Sequence, residues 1–227
     1  MAGIKGALVG TIWLMITIIP ISIILGVGTA IYLEEYAKDN AFTNFVKVSI
    51  SNLAGVPSVV FGLLGLTIFV RGMGIPALGL GNSIIAAALT MSLLILPVII
   101  VAAQEAIRAV PSSVREASYA LGGNKWQTIR RVVLPAATPG ILTGFILALS
   151  RALGETAPLI LIGIPTILLR LPSSIFDQFQ ALPMQIYNWT KQPQDEFQNV
   201  ASAGIIVLLV ILLLMNAIAI FLRNKYS

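Results

Sequence analysis

Runs of apolar residues about twenty long recur from one end of this chain to the other, separated by short charged or glycine-rich stretches. A helix of that length crosses a hydrocarbon core of about 30 Å. Inside lipid a backbone must satisfy its own polar groups, and a helix does so within one segment. Of the 227 residues 57% are hydrophobic and only 10% charged, where a soluble domain carries about 25% charged residues. The deficit extends along the whole chain. The expected fold is therefore all-α and polytopic, one transmembrane domain over residues 1–227.

Length and polar punctuation give about five spans: Leu8–Leu33, Leu53–Val70, Ser83–Ala103, Pro135–Ile164 and Ala201–Leu222. A less apolar helix near Phe42–Ile50 is expected at the interface, and Gly72, Gly74, Pro76, Gly79 and Gly81 mark a loop. The first apolar run is too long for a secretory signal. The 104–134 segment carries Arg108, Arg115, Lys125, Arg130 and Arg131, and positive charge collects on the cytoplasmic side. Counting outward, Lys38, Lys47, Arg223 and Lys225 lie inside. Arg71, Arg170, Lys191 and the 165–198 loop lie outside, as does the N-terminus.

Neither cysteine nor histidine occurs, which removes thiol redox chemistry, Cys/His metal sites and a Ser-His-Asp triad. The net charge of +5 marks loop orientation and not affinity for nucleic acid. The chain has no G-x-x-x-x-G-K-[ST] phosphate loop, so it is expected to be no ATPase and to bind no cofactor itself.

Within the cytoplasmic segment, Ser113 and Glu116 have capping-box spacing, and Asn124 and Gln127 repeat it after Gly122-Gly123. The pattern predicts a helix–Gly-Gly–helix projection, with Gly122 allowing close backbone approach. Glu105 and Arg108, three residues apart after the third span, read as a solvated surface pair, with a brace for the cytoplasmic loop as the alternative. In the fourth span Arg151 and Glu155 share a helix face, roughly 17–24 Å along it. An ionisable group at that depth costs at least ~2.5–3.5 kcal/mol, so it should face protein or a water-filled path. Two readings stay open: a self-neutralised packing pair, or an anion path in which the planar arginine fork binds oxyanion oxygens. Gly154 and Pro158 are expected to loosen the backbone of the fourth span, as where a helix lines a cavity. Pro20, Pro57, Pro97 and Pro139 are candidate kinks, Gly55, Gly62 and Gly65 candidate packing sites, and Tyr187 and Trp189 an interfacial aromatic pair.

Glu116-Ala117-Ser118, Gly122, Val132, Leu134 and Pro135 resemble the "EAA…G…I-LP" signature of binding-protein-dependent ABC importer permeases, with Ser118 for alanine and Val132 for isoleucine. That resemblance implies a type I ABC importer fold whose cytoplasmic coupling helix docks on an ATPase subunit through Glu116, Ala117, Ser118 and Gly122. "LGVGTAIYLEEYA" (Leu25–Ala37), "LAGVPSVVFGLLGL" (Leu53–Leu66), "SRALGETAPL" (Ser150–Leu159) and "LPMQIYNW" (Leu182–Trp189) are similar to segments of phosphate permeases, chiefly the A-type of the Pst transporters. This implies a plasma-membrane subunit importing phosphate with Arg151 and Glu155 on its path. Its partners would be a C-type permease, two ATPase subunits that bind the ATP, and an extracytoplasmic phosphate-binding protein. Import of molybdate, tungstate or sulfate, or a non-transporting sensing role, are the alternatives. Such permeases usually carry one more N-terminal helix, which wraps the partner subunit. This sequence starts where their second helix would, as a truncated frame or a genuine short form.

Overall fold

A computed structural model of the chain describes residues 4–74, 79–165 and 170–225; Pro76 of the expected loop lies outside them. Among the described residues every regular element is helical. They are α1 (Ile4–Ile31), ending in a π-helical turn Tyr32–Tyr36, α2 (Ala41–Leu53), α3 (Ser58–Gly65) with a π turn Leu66–Val70, α4 (Ile84–Arg108) and α5 (Ser112–Ala120). There follow α6 (Lys125–Thr128), a π turn Ile129–Val133, α7 (Leu134–Gly154), α8 (Ala157–Ile162), α9 (Leu182–Thr190) and α10 (Asp195–Lys225).

Among the described residues four stretches are long and apolar enough to cross a membrane: Ile4–Tyr36, Ile84–Arg108, Lys125–Gly154 and Asp195–Phe221. A fifth is a bent pair, Ala41–Leu53 and Ser58–Val70, with 102° between its halves. The last span begins at Asp195, six residues before the expected Ala201 and inside the expected 165–198 loop, and the expected spans differ further in two places. The second does not begin at Leu53, because the chain breaks at Gly55–Pro57 and α3 starts only at Ser58. The fourth starts ten residues before Pro135, at Lys125, and its helix ends at Gly154. Pro158 gives the reason for that end: in a continuous helix its ring would meet the carbonyl four residues back, that of Gly154. In α8 it sits in the first turn, where its missing N–H costs nothing. Pro20, Pro97 and Pro139, by contrast, lie inside unbroken helices.

The chain divides into two compact units. The first comprises residues 1–21, 56–94 and 150–215. There α3 packs on α8 because Gly62 has no side chain: a Cβ would lie 2.8 Å from Leu161 Cδ1 and from Pro158 Cα. Gly65 is closed in the same way by Thr90, whereas Gly55 has ordinary clearance and is no packing site. Gly62→Leu is expected to destabilise this unit by ~1–3 kcal/mol through overpacking, read as a lower unfolding temperature of the purified chain in detergent. Ala7, Leu182, Ile186, Trp189 and Ala201 form a buried cluster, and Gly204 lies against the Trp189 ring. Trp189 is thus core, only 3% exposed, and not half of an interfacial belt; Tyr187 is the exposed one, with Lys191 over its ring at 4.2 Å.

The second unit comprises residues 22–55, 95–149 and 216–227. Its core joins Ala30, Ala103, Ile107, Val110, Val133 and Ala137. Helices α4 and α7 approach closely where Gly140 faces Ala106 and Gly144 faces Ala102. Small residues on both sides let dispersion contacts form without a hydrophobic driving force in lipid.

Candidate functional site

Helix α5 begins at Ser112 after Pro111, with no side-chain cap. The expected Ser113–Glu116 capping box is absent, because the helix starts two residues early, with Pro111 at the N-cap position, and places Ser113 inside its first turn. The second box is present: Asn124 Oδ1 accepts from Gln127 N–H at 2.9 Å, and Gln127 Oε1 accepts from Asn124 N–H at 3.0 Å. Between them Gly122 takes φ +81°, a left-handed conformation that side chains other than glycine adopt at a cost. Gly123 N–H donates to Ser118 O at 3.0 Å, and the Ser118 and Thr128 hydroxyls bond at 2.8 Å. Ser118, the departure from the "EAA" pattern, therefore closes the turn between α5 and α6.

This helix–Gly-Gly–helix encloses a groove of about 420 Å³ lined by Val114, Ala117, Leu121, Gly122 and Arg131 among others. Glu116, Ala117 and Gly122 are exposed, and Leu121 is 90% exposed. A solvent-facing leucine beside an apolar groove is a surface suited to a protein partner.

Arg151 lies in the last turn of α7, four residues before the break, and not within a continuous span. Its cation there complements the partial negative charge of the helix C-terminus. Arg151 Nε is 3.6 Å from Glu155 Oε1, with side-chain exposures of 36% and 23%. That distance is an ion pair too long for a hydrogen bond. Arg151 and Glu155 belong to the first unit, and Glu116, Ala117, Ser118 and Gly122 to the second.

A third cluster escaped the sequence reading. Glu34 Oε1 lies 2.9 Å from Arg108 Nη2 and 3.0 Å from Lys47 Nζ, and accepts from Gln104 Nε2 at 3.1 Å. Arg108 also pairs with Glu105 at 3.1 Å, so the expected surface pair is one arm of a larger network. Next to it Glu35 Oε1 lies 3.2 Å from Arg115 Nη2. The available signal was two adjacent acids at a span end assigned to the cytoplasm, where the positive-inside rule leads one to expect cations.

Residues 173–177 cap the start of α4. Asp177 O and Ile175 O accept from the N–H groups of Ile84 and Ile85 at 3.1 and 2.9 Å. The turn is held by the Asp177 carboxylate, which accepts from Ser173 N–H, Ser173 Oγ and Ser174 N–H at 2.8–2.9 Å. These bonds, led by the Ser173 backbone, hold the carboxyl below its ordinary value. A depressed folded-state value contributes stability above the unfolded value of about 3.9 and loses it as pH falls through the folded value. The 170–181 segment should therefore be ordered at neutral pH and loosen in acid, and Asp177→Asn should loosen it already at pH 7. Protease sensitivity of that segment against pH would show it; a profile identical in both proteins would refute the role of the carboxylate.

The fold is that of a polytopic α-helical membrane protein, and solved ABC importers share it. A chain of the MetNI methionine ABC transporter in an inward-facing form superposes with TM-score 0.75 at 16% identity, over 99% of this chain and 95% of that one. Residues 18–226 match the binding-protein-dependent transport system inner membrane components, and the chain belongs to that family. It is a non-catalytic permease subunit of an ABC importer. Relatives include the probable ABC transporter permease YqgI of Bacillus subtilis, 34% identical over 96% of this chain and 76% of the relative. Another is the phosphate transport system permease PstA 1 of Mycobacterium tuberculosis, 38% identical over 92% and 67%. The chain spans 49% to 76% of the length of the curated relatives it matches.

Proposed function

We propose that this chain, as one permease domain in the plasma membrane, imports inorganic phosphate as the A-type-like half of a permease pair. The observation that carries the substrate is Arg151, a half-exposed guanidinium at a helix break, within a segment resembling phosphate permeases. Its planar fork suits a tetrahedral oxyanion. Its pairing with Glu155 is loose enough for an anion to compete, and the carboxylate keeps the anion from binding too tightly to leave. The phosphate permease PstA 1 supports the same substrate.

In this reading the 104–134 segment is cytoplasmic and the 165–198 loop extracytoplasmic. Glu116, Ala117, Ser118 and Gly122 form the surface against an ATPase subunit, which binds and hydrolyses the ATP. A binding protein delivers phosphate to the outer face, and a second, C-type permease completes the path. Movement of α5 with the ATPase dimer would switch the pair between inward- and outward-facing states.

The test is uptake by the chain co-expressed with its neighbouring permease, ATPase and binding-protein genes and reconstituted in liposomes. ATP-dependent accumulation of phosphate over molybdate and sulfate is expected. Selective uptake of another oxyanion would keep the architecture and replace the substrate. An assembled complex that moves none of them would favour a sensing subunit.

A further inference from the structure

The acidic pair at the end of α1 and the arginine of α5 form a link that the reading above leaves unused. Arg115 projects from the helix assigned to the ATPase, and its Nη2 donates to Ile107 O at 2.7 Å. Ile107 lies in the last turn of α4, where carbonyls lack intrahelical donors; its oxygen also accepts from Val110 N–H at 3.3 Å. The same Nη2 lies 3.2 Å from Glu35 Oε1, on the π turn that ends α1. One guanidinium thus fastens α5 to the ends of two spans.

The pair is incompletely satisfied. Arg115 Nε and Glu35 Oε1 are both buried, and among the described residues neither has a hydrogen-bond partner, Oε1 being held only by the ion pair. Leaving such groups unpaired out of water is costly, yet the unused donor and acceptor belong to the same two residues. A small rotation of the guanidinium, or a shift of α5, would bring them into the forked geometry that arginine and carboxylate favour. Beside it, Glu34 is saturated by Lys47, Arg108 and Gln104, which fixes the π turn. The arrangement is one anchored carboxylate next to one with a second, better-bonded position available.

We propose that Arg115 and Glu35 are positioning residues that transmit movement of α5 to α1 and α4, exchanging the present single contact for a forked one during the transport cycle. The proposal rests on the permease reading, and specifically on α5 meeting the ATPase.

The experiment measures phosphate imported per ATP hydrolysed in the reconstituted complex. Glu35→Gln keeps the shape and removes the charge. It is expected to lower that ratio at least ~5-fold, the lower end of coupling between distant sites, while ATP hydrolysis continues. Arg115→Gln should do the same, and Arg115→Lys, which keeps charge without the fork, should fall between it and the unaltered protein. The double variant Glu35→Gln/Arg115→Gln should be no worse than either single, because one interaction is removed once. An unchanged ratio, effects that multiply, or loss of the assembled complex in all variants including Arg115→Lys would overturn the link and leave a static pair. An unaltered complex that hydrolyses ATP but imports no phosphate, molybdate or sulfate would overturn the permease reading itself, and the link with it.

Discussion

Ala117→Arg is expected to abolish ATP-driven uptake while the chain remains folded in the membrane. Ala117 is exposed on α5 and lines the groove between the two short helices. On an exposed helix face arginine is nearly as good a helix former as alanine, so α5 itself should persist. What changes is the proposed docking surface, where a long charged side chain would enter the groove. Disrupting a central interface position costs ~2–4 kcal/mol, roughly 30- to 1,000-fold in association. Co-purification of the ATPase subunit should be lost together with uptake. Retained association with normal uptake would remove this face from the coupling surface. Gly122→Val should act in the same direction by another route. Among the described residues no atom lies within 4 Å of a Cβ added there, so its penalty comes from the left-handed backbone, φ +81°.

Arg151→Ala should lower phosphate uptake at least ~10-fold without altering ATPase association. A hydrogen bond to a charged group contributes about 1.5–3 kcal/mol, and the substitution removes every such bond to the anion. The two candidate sites therefore separate in one assay: the α5 variant loses the ATPase, and the Arg151 variant keeps it and loses substrate. Arg151→Lys should recover part of the rate, because a point charge remains while the planar fork does not. Intact uptake in Arg151→Ala, with the complex fully assembled, would show that the Arg151–Glu155 pair only packs the helix end.

Much of this was legible in the chain. An apolar run near twenty residues has few alternatives to a spanning helix, which is why α1, α4 and α10 lie where hydropathy expects them. The Asn124–Gln127 box and the Gly122 turn were readable because caps and left-handed glycines act over four residues or fewer. The errors came where a window average is blind to direction. Leu53–Val70 reads as one apolar run, yet the break at Gly55–Pro57 assigns Leu53 to α2 and only Ser58–Val70 to the other half of a pair bent by 102°. In the run through Ile164, Gly154 and Pro158 read as loosening the helix, whereas Pro158 stops it at Gly154, which moves Arg151 from mid-span to a helix end.

Sequence by itself determined the solvent this protein folds in, its helical class and the hairpin of the α5–α6 segment, because each follows from local hydrophobicity and hydrogen-bonding rules. Tertiary structure decided which charges meet. Glu34 and Arg108 are 74 residues apart, and Glu35 and Arg115 are comparably distant, so their pairing depends on the register in which α1, α4 and α5 pack. That register is set by sites such as Gly26 on Ile99 and Gly140 on Ala106. There the absence of a side chain on one helix matters only once the other helix has arrived.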